Sequence, residues 1–133
     1  MSTLKVNTIQ DASGNNASTT AQIEQGRAKV WVNFNGTGTV AIRDSFNTSS
    51  ITDNGTGDYT VTYSSAMSDT NYAVVALGKQ NDSTSGGFVG IILKGQTLAN
   101  TYSTTSFRLQ NVGIGSGNLF DGVAINVVVF GDQ

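Results

Sequence analysis

The chain has 133 residues, enough for one domain or for one domain plus an arm. It contains no Cys and no His, which excludes disulfides, thiol nucleophiles, Cys/His zinc sites and imidazole general bases. Net charge is −2 and its seven cations (Lys5, Arg27, Lys29, Arg43, Lys79, Lys94, Arg108) are scattered, so no basic stripe marks a nucleic-acid interface.

Met1–Lys5 has no apolar signal core, and no apolar run reaches membrane-spanning length. A soluble chain without membrane insertion is expected. Leu4 to Gln10 reads as a short extended piece presenting Leu4, Val6 and Ile9, followed by the turn-rich Asp11–Asn16. Residues 18–25 carry either a short helix or a continuation of the extended segment: Thr19 and Gln22 have capping-box spacing, and Gly26 would stop a helix. Residues 1–26 therefore read as an N-terminal arm, and 27–133 as the folded domain.

From Arg27 the pattern switches to period two. Ala28, Val30, Val32 and Phe34 share one face; Arg27, Lys29 and Asn33 take the other, with Trp31 out of phase among them. Asn35–Gly38 supplies a turn, and Val40 and Ile42 return in phase, which predicts a hairpin. Ile51, the Asp53–Gly57 turn and the alternating Tyr59, Val61 and Tyr63 form a second such unit. Thr105 to Leu109 alternates again. There is no Pro, and Gly, Asn, Ser and Thr make the turns instead. About eight short strands at this spacing predict an all-β fold, an antiparallel β-sandwich of jelly-roll type with an extended N-terminal arm.

Three further strands are nearly continuous apolar runs: Tyr72–Leu77, Phe88–Leu93 and Val123–Phe130. A sandwich strand has one face inside and one outside, so its sequence should alternate. A domain this small cannot bury both faces of three strands. Either the extra face meets another subunit, the arm or a third layer, or small residues such as Ala73, Ala76 and Ala124 are simply tolerated outside. A homo-oligomer interface is the favoured expectation.

Chemistry-bearing constellations are scarce. A glycosidase needs two carboxylates a few ångströms apart. The nearest pair in sequence, Asp53 and Asp58, flanks a turn of the kind Asp itself stabilises. The same loop offers hard oxygen ligands for calcium but lacks the twelve-residue spacing and terminal Glu of an EF-hand. Gly113-x-Gly115-x-Gly117 lacks the downstream Lys of a phosphate loop. No enzyme activity and no cofactor are expected. Trp31, out of phase, and Tyr102, in a polar stretch beside Asn100, are candidate aromatic contacts: saccharide platforms on one reading, packing at an inter-subunit seam on the other.

Several segments resemble virion proteins. Thr3–Asn15 resembles a start seen in virion proteins of marine tailed phages, including cyanophages. Lys29–Asn47, Ser50–Tyr63 and Asn71–Val74 resemble a stretch recurring in phage tail-fibre proteins, and Phe107–Gln110 and Val127–Asp132 resemble their ends. The resemblance implies a fibre, knob or related appendage domain on the tail or capsid surface of a virion, typically trimeric and often used in host attachment. It supplies no catalytic motif. On that resemblance the arm, with Leu4, Val6 and Ile9, would anchor the chain to other virion proteins or intertwine subunits. Outward loops containing Asn81, Asp82, Ser83 and Thr84, and Ser116 and Asn118, would be receptor-facing, with a host cell-surface glycan as the expected partner. The chain departs from long tail fibres in having no extended shaft. A capsid decoration or head-fibre protein and a free carbohydrate-binding module are the alternative readings.

Overall fold

Alternation of apolar and polar residues makes a strand worth forming only where a second apolar face meets it. The computed structural model describes residues 1–79, 89–93, 101–114 and 116–133. In it two antiparallel four-stranded sheets face each other. Strands β3 (Val30–Asn35), β4 (Ala41–Phe46), β7 (Ala73–Lys79) and β10 (Ala124–Phe130) form one sheet in the order β4-β3-β10-β7. The other, in the order β5-β6-β9-β8, contains β5 (Thr48–Gly55), β6 (Asp58–Tyr63), β8 (Val89–Leu93) and β9 (Ser106–Gly113). The expected sandwich is present, and the expected hairpins are the pairs β3–β4 and β5–β6. However, β4 starts only at Ala41 and runs on to Phe46, so Val40 precedes it and Ile42 is exposed rather than in phase with the core.

The core lies between the sheets. Val30, Val32 and Phe34 from β3 and Ile125, Val127 and Val129 from β10 meet Tyr59, Val61 and Tyr63 from β6 and Phe107 and Leu109 from β9. Phe34 and Tyr59 stand edge to face with centroids 5.3 Å apart, an arrangement the ring quadrupoles favour. Asn47 turns the chain from one sheet to the other with φ 53°, a left-handed conformation that Asn tolerates better than most side chains. Its amide donates to the carbonyls of Lys29 and Ser65 at 3.1 Å each, and its Oδ1 accepts from Ser65 N at 2.7 Å.

Two polar clusters close the sandwich elsewhere. Asp58 on β6 accepts from Arg108 Nε at 2.7 Å and Nη2 at 3.0 Å, and from Gln110 Nε2 at 3.0 Å. At one end Asp121 Oδ1 accepts from Gly57 N at 2.7 Å and from the Tyr59 hydroxyl at 2.9 Å. Burial, and then Asp121, push the Tyr59 phenol well above its usual range.

The N-terminal region holds a two-stranded hairpin and one helix. Strands β1 (Thr8–Ile9) and β2 (Ser18–Thr19) pair, and helix α1 (Thr20–Gly26) follows. Of the two readings for residues 18–25, the helix is the one present. Its capping box joins the Thr19 side chain to Gln22 N at 3.1 Å and the Gln22 side chain to Thr19 N at 2.9 Å. Asp11 organises the hairpin loop, accepting from Ser13 N and Asn15 N. Among the described residues no helix is long and apolar enough to cross a membrane.

Lys29 is a departure from the period-two reading. Phase puts it on the outer face, yet it is only 1% exposed. Glu24 near the end of α1 reaches this residue, and the Lys29 ammonium donates to it. Gln25 Nε2 adds a bond to Asp132 at 2.6 Å.

Candidate functional site

The two outer faces of the sandwich differ in character. On β6 and β9 the outward positions include Thr60, Thr62, Arg108 and Gln110, a polar surface held by the Asp58 cluster. On the opposite sheet the outward positions of the apolar runs line up in register. Trp31 on β3 lies beside Phe46 on β4 and Val128 on β10, and Val128 lies beside Val75 on β7. A row of four apolar side chains therefore crosses all four strands. In the adjacent row Asp44, Asn33, Asn126 and Leu77 align, with Asn33 Nδ2 donating to Asn126 Oδ1 at 2.5 Å.

This face is open in the single chain. Phe46 is 51% exposed, Val75 56% and Leu77 71%, while Trp31 and Val128 are half-buried by their cross-strand neighbours. The inward residues of β7, Val74 and Ala76, pack on the core, so the apolar run of this strand serves two faces. This apolar row contrasts with the polar outward positions of β6 and β9, although Ile92 on β8, in register with Gln110, is exposed as well.

The other candidate residues are dispersed. Leu4, Val6 and Ile9 are all exposed on the arm, as is Ile23 on α1. Ser116 and Asn118 are exposed in the loop after β9, where Gly113 N donates to Asn118 O at 2.8 Å and Asn118 N to Ser116 Oγ at 3.2 Å. Asn81, Asp82, Ser83 and Thr84 lie outside the described residues, as does Asn100. Tyr102 pairs with Phe107 just before β9, on the opposite sheet from Trp31, so the two candidate aromatics do not share a site. Nor does Tyr102 adjoin Ser116 and Asn118, which follow the other end of β9. That eight-residue strand spans roughly 25 Å.

Asp53 and Asp58 do not converge. Asp53 accepts from Gly55 N at 2.9 Å within the turn, whereas Asp58 faces Arg108 and Gln110. A cation at Asp58 would have to displace the guanidinium. Among the described residues no group of three or more His, Cys, Asp or Glu could hold a metal ion.

A feature that sequence inspection missed lies beside Tyr102. A cleft of about 270 Å³ opens on the polar side of the sandwich, bordered by Thr60, Tyr102, Ser103, Ser106 and Arg108. The signal was divided among three segments, and no spacing rule joins them.

No protein-family model and no curated protein matches the chain. Among solved structures, the fold is similar to part of the phiAB6 tailspike, crystallised in complex with three-repeated oligosaccharides of Acinetobacter baumannii surface polysaccharide. The TM-score is 0.54 at 17% identity, over 95% of this chain and 23% of that one. The chain thus spans about a quarter of the tailspike's length, and the likeness establishes a shared β-sandwich fold.

Proposed function

We propose that this chain is a non-enzymatic structural protein of a tailed-phage virion, a tail-fibre-like or knob subunit that assembles with copies of itself. The observation that carries the proposal is the open apolar row Phe46–Trp31–Val128–Val75 on the outer face of the β4-β3-β10-β7 sheet. A second copy is the occupant best matched to it, because flat sheet faces pack against one another readily. Trimeric stoichiometry and a marine phage source rest on the sequence resemblance. A phage tail location draws support from that resemblance and from the fold shared with a tailspike. Host-surface glycan contact draws support from the oligosaccharides in the tailspike complex.

The exposed arm, with Leu4, Val6 and Ile9, is assigned to docking on other virion proteins or to intertwining of subunits. Sedimentation equilibrium of the whole chain tests assembly. The expected result is a mass that rises with concentration to a closed oligomer. A monomer at every concentration up to about 100 μM, a range in which weak complexes are already half-formed, overturns it. Deleting residues 1–26 tests the arm: virions that still incorporate the truncated chain normally would remove its anchoring role.

A further inference from the structure

The cleft beside Tyr102 is built more carefully than a surface groove needs to be. Ser103 Oγ accepts from Thr105 N and Ser106 N, both at 3.1 Å, and Ser103 N donates to Ser106 O at 2.9 Å. The Tyr72 hydroxyl lies 2.9 Å from the Ser103 carbonyl and 3.0 Å from that of Ser106, holding the turn from behind. Tyr72 also meets the Tyr102 ring edge to face, with centroids 5.0 Å apart. Tyr102 is half-buried: part of its side chain packs on the core, and part lines the cleft. Across the cleft, the side-on pair with Asp58 fixes the Arg108 guanidinium and uses Nε and Nη2, leaving the Nη1 donors outside the pair.

The lining therefore combines the half-buried Tyr102 and the buried Phe107 with several hydroxyls that donate or accept and one clamped guanidinium. Its charge is balanced, because the Arg108 cation is matched by the Asp58 carboxylate. A ligand with many hydroxyls and an apolar ring face fits this set; an anion would compete with Asp58 for Arg108. The volume, near the low end for ligand pockets, suits one sugar ring rather than a chain. Preorganisation by Tyr72 and Ser103 lowers the ordering cost of binding.

We infer that the Tyr102–Arg108 cleft is a subsite for a single neutral pyranose unit of a saccharide, stacked on Tyr102 and hydrogen-bonded by Thr60, Ser106 and Arg108. The inference rests on the host-surface part of the proposed function for the origin of its sugar, but not on self-assembly.

The test is amide chemical-shift mapping of the full chain titrated with glucose, galactose, mannose, N-acetylglucosamine and glucuronate, with mass measured by sedimentation in the same samples. At least one neutral sugar is expected to shift Thr60, Tyr102, Ser106 and Arg108 with an affinity near 1 mM, the weak end of specific binding. Tyr102→Ala is expected to weaken that binding about tenfold or more without altering the mass. Binding of glucuronate in preference to every neutral sugar, shifts confined to other residues, or no shifts with any sugar would each overturn the inference. A monomeric chain that still binds a neutral sugar at these residues supports the cleft while refuting assembly, so the two failures are separable.

Discussion

Replacing Val75 with Lys probes the assembly surface at a point where the fold has little at stake. Val75 is 56% exposed on the outer face of β7 and contributes nothing to the core between the sheets. Complete burial of an aliphatic side chain is worth about 1.5–3 kcal/mol, so covering its exposed half contributes about 1–1.5 kcal/mol. Where two like faces meet, each copy supplies one Val75, which makes the loss about 2–3 kcal/mol per contact. Desolvating an ammonium there adds to it. The oligomer dissociation constant should therefore rise about 30- to 150-fold, read as a shift of the sedimentation isotherm to higher concentration. The thermal midpoint of the dissociated chain should change little, as for other surface substitutions. Thr52→Lys, exposed on β5 of the opposite sheet, is the control and should leave the isotherm in place. An isotherm that Val75→Lys does not move, or one that both substitutions move equally, would refute the assignment of this face.

Gly57 has φ +64°, and a Cβ there would lie 2.7 Å from Phe120 N and O and 2.8 Å from Asn111 O. Gly57→Ala should cost about 2–4 kcal/mol from left-handed strain plus overpacking, lowering the melting midpoint on the order of 10 °C. Gly26→Ala, with open space around it, should stay close to the parent in the same calorimetric scan. Burial raises the phenols of Tyr59, Tyr63, Tyr72 and Tyr102 above their ordinary value. An unfolded tyrosine loses its proton near pH 10 while the folded ones keep theirs, so stability holds below about pH 10 and falls as pH rises beyond it. Spectrophotometric titration should show no tyrosine ionising at its ordinary value before the chain unfolds. The Lys29 hydrogen bond, aided by Arg27, holds the Glu24 carboxyl below its usual range. That contact is intact above the ordinary carboxylate value and is lost as pH falls through the depressed one. Glu24→Gln should release α1 in the same way, and faster tryptic cleavage after Arg27 at neutral pH would report it.

Much of the fold was legible because period-two patterning is local. Val30, Val32 and Phe34, and Tyr59, Val61 and Tyr63, declare an inward face whatever their neighbours are, and all six are buried. The Thr19–Gln22 cap was legible for the same reason, since its partners sit three residues apart. The doubly apolar runs also showed that some strand would carry surplus hydrophobic surface.

Which surplus residues adjoin one another was decided only by tertiary structure. Trp31 acquires Phe46 on one side and Val128 on the other through strand order and register, properties of the whole sheet rather than of any segment. Asp58 read as a turn residue, yet its partner Arg108 is fifty positions away. Lys29 read as solvent-facing by phase, yet it is buried and its ammonium donates to Glu24 of the arm's helix. The cleft beside Tyr102 needed β6, the turn before β9 and β9 itself to meet. A sequence specifies the period of each strand through its own side chains. The free energy that selects register and neighbours comes from contacts between segments far apart in the chain, so the functional surfaces exist only once the sheets are assembled.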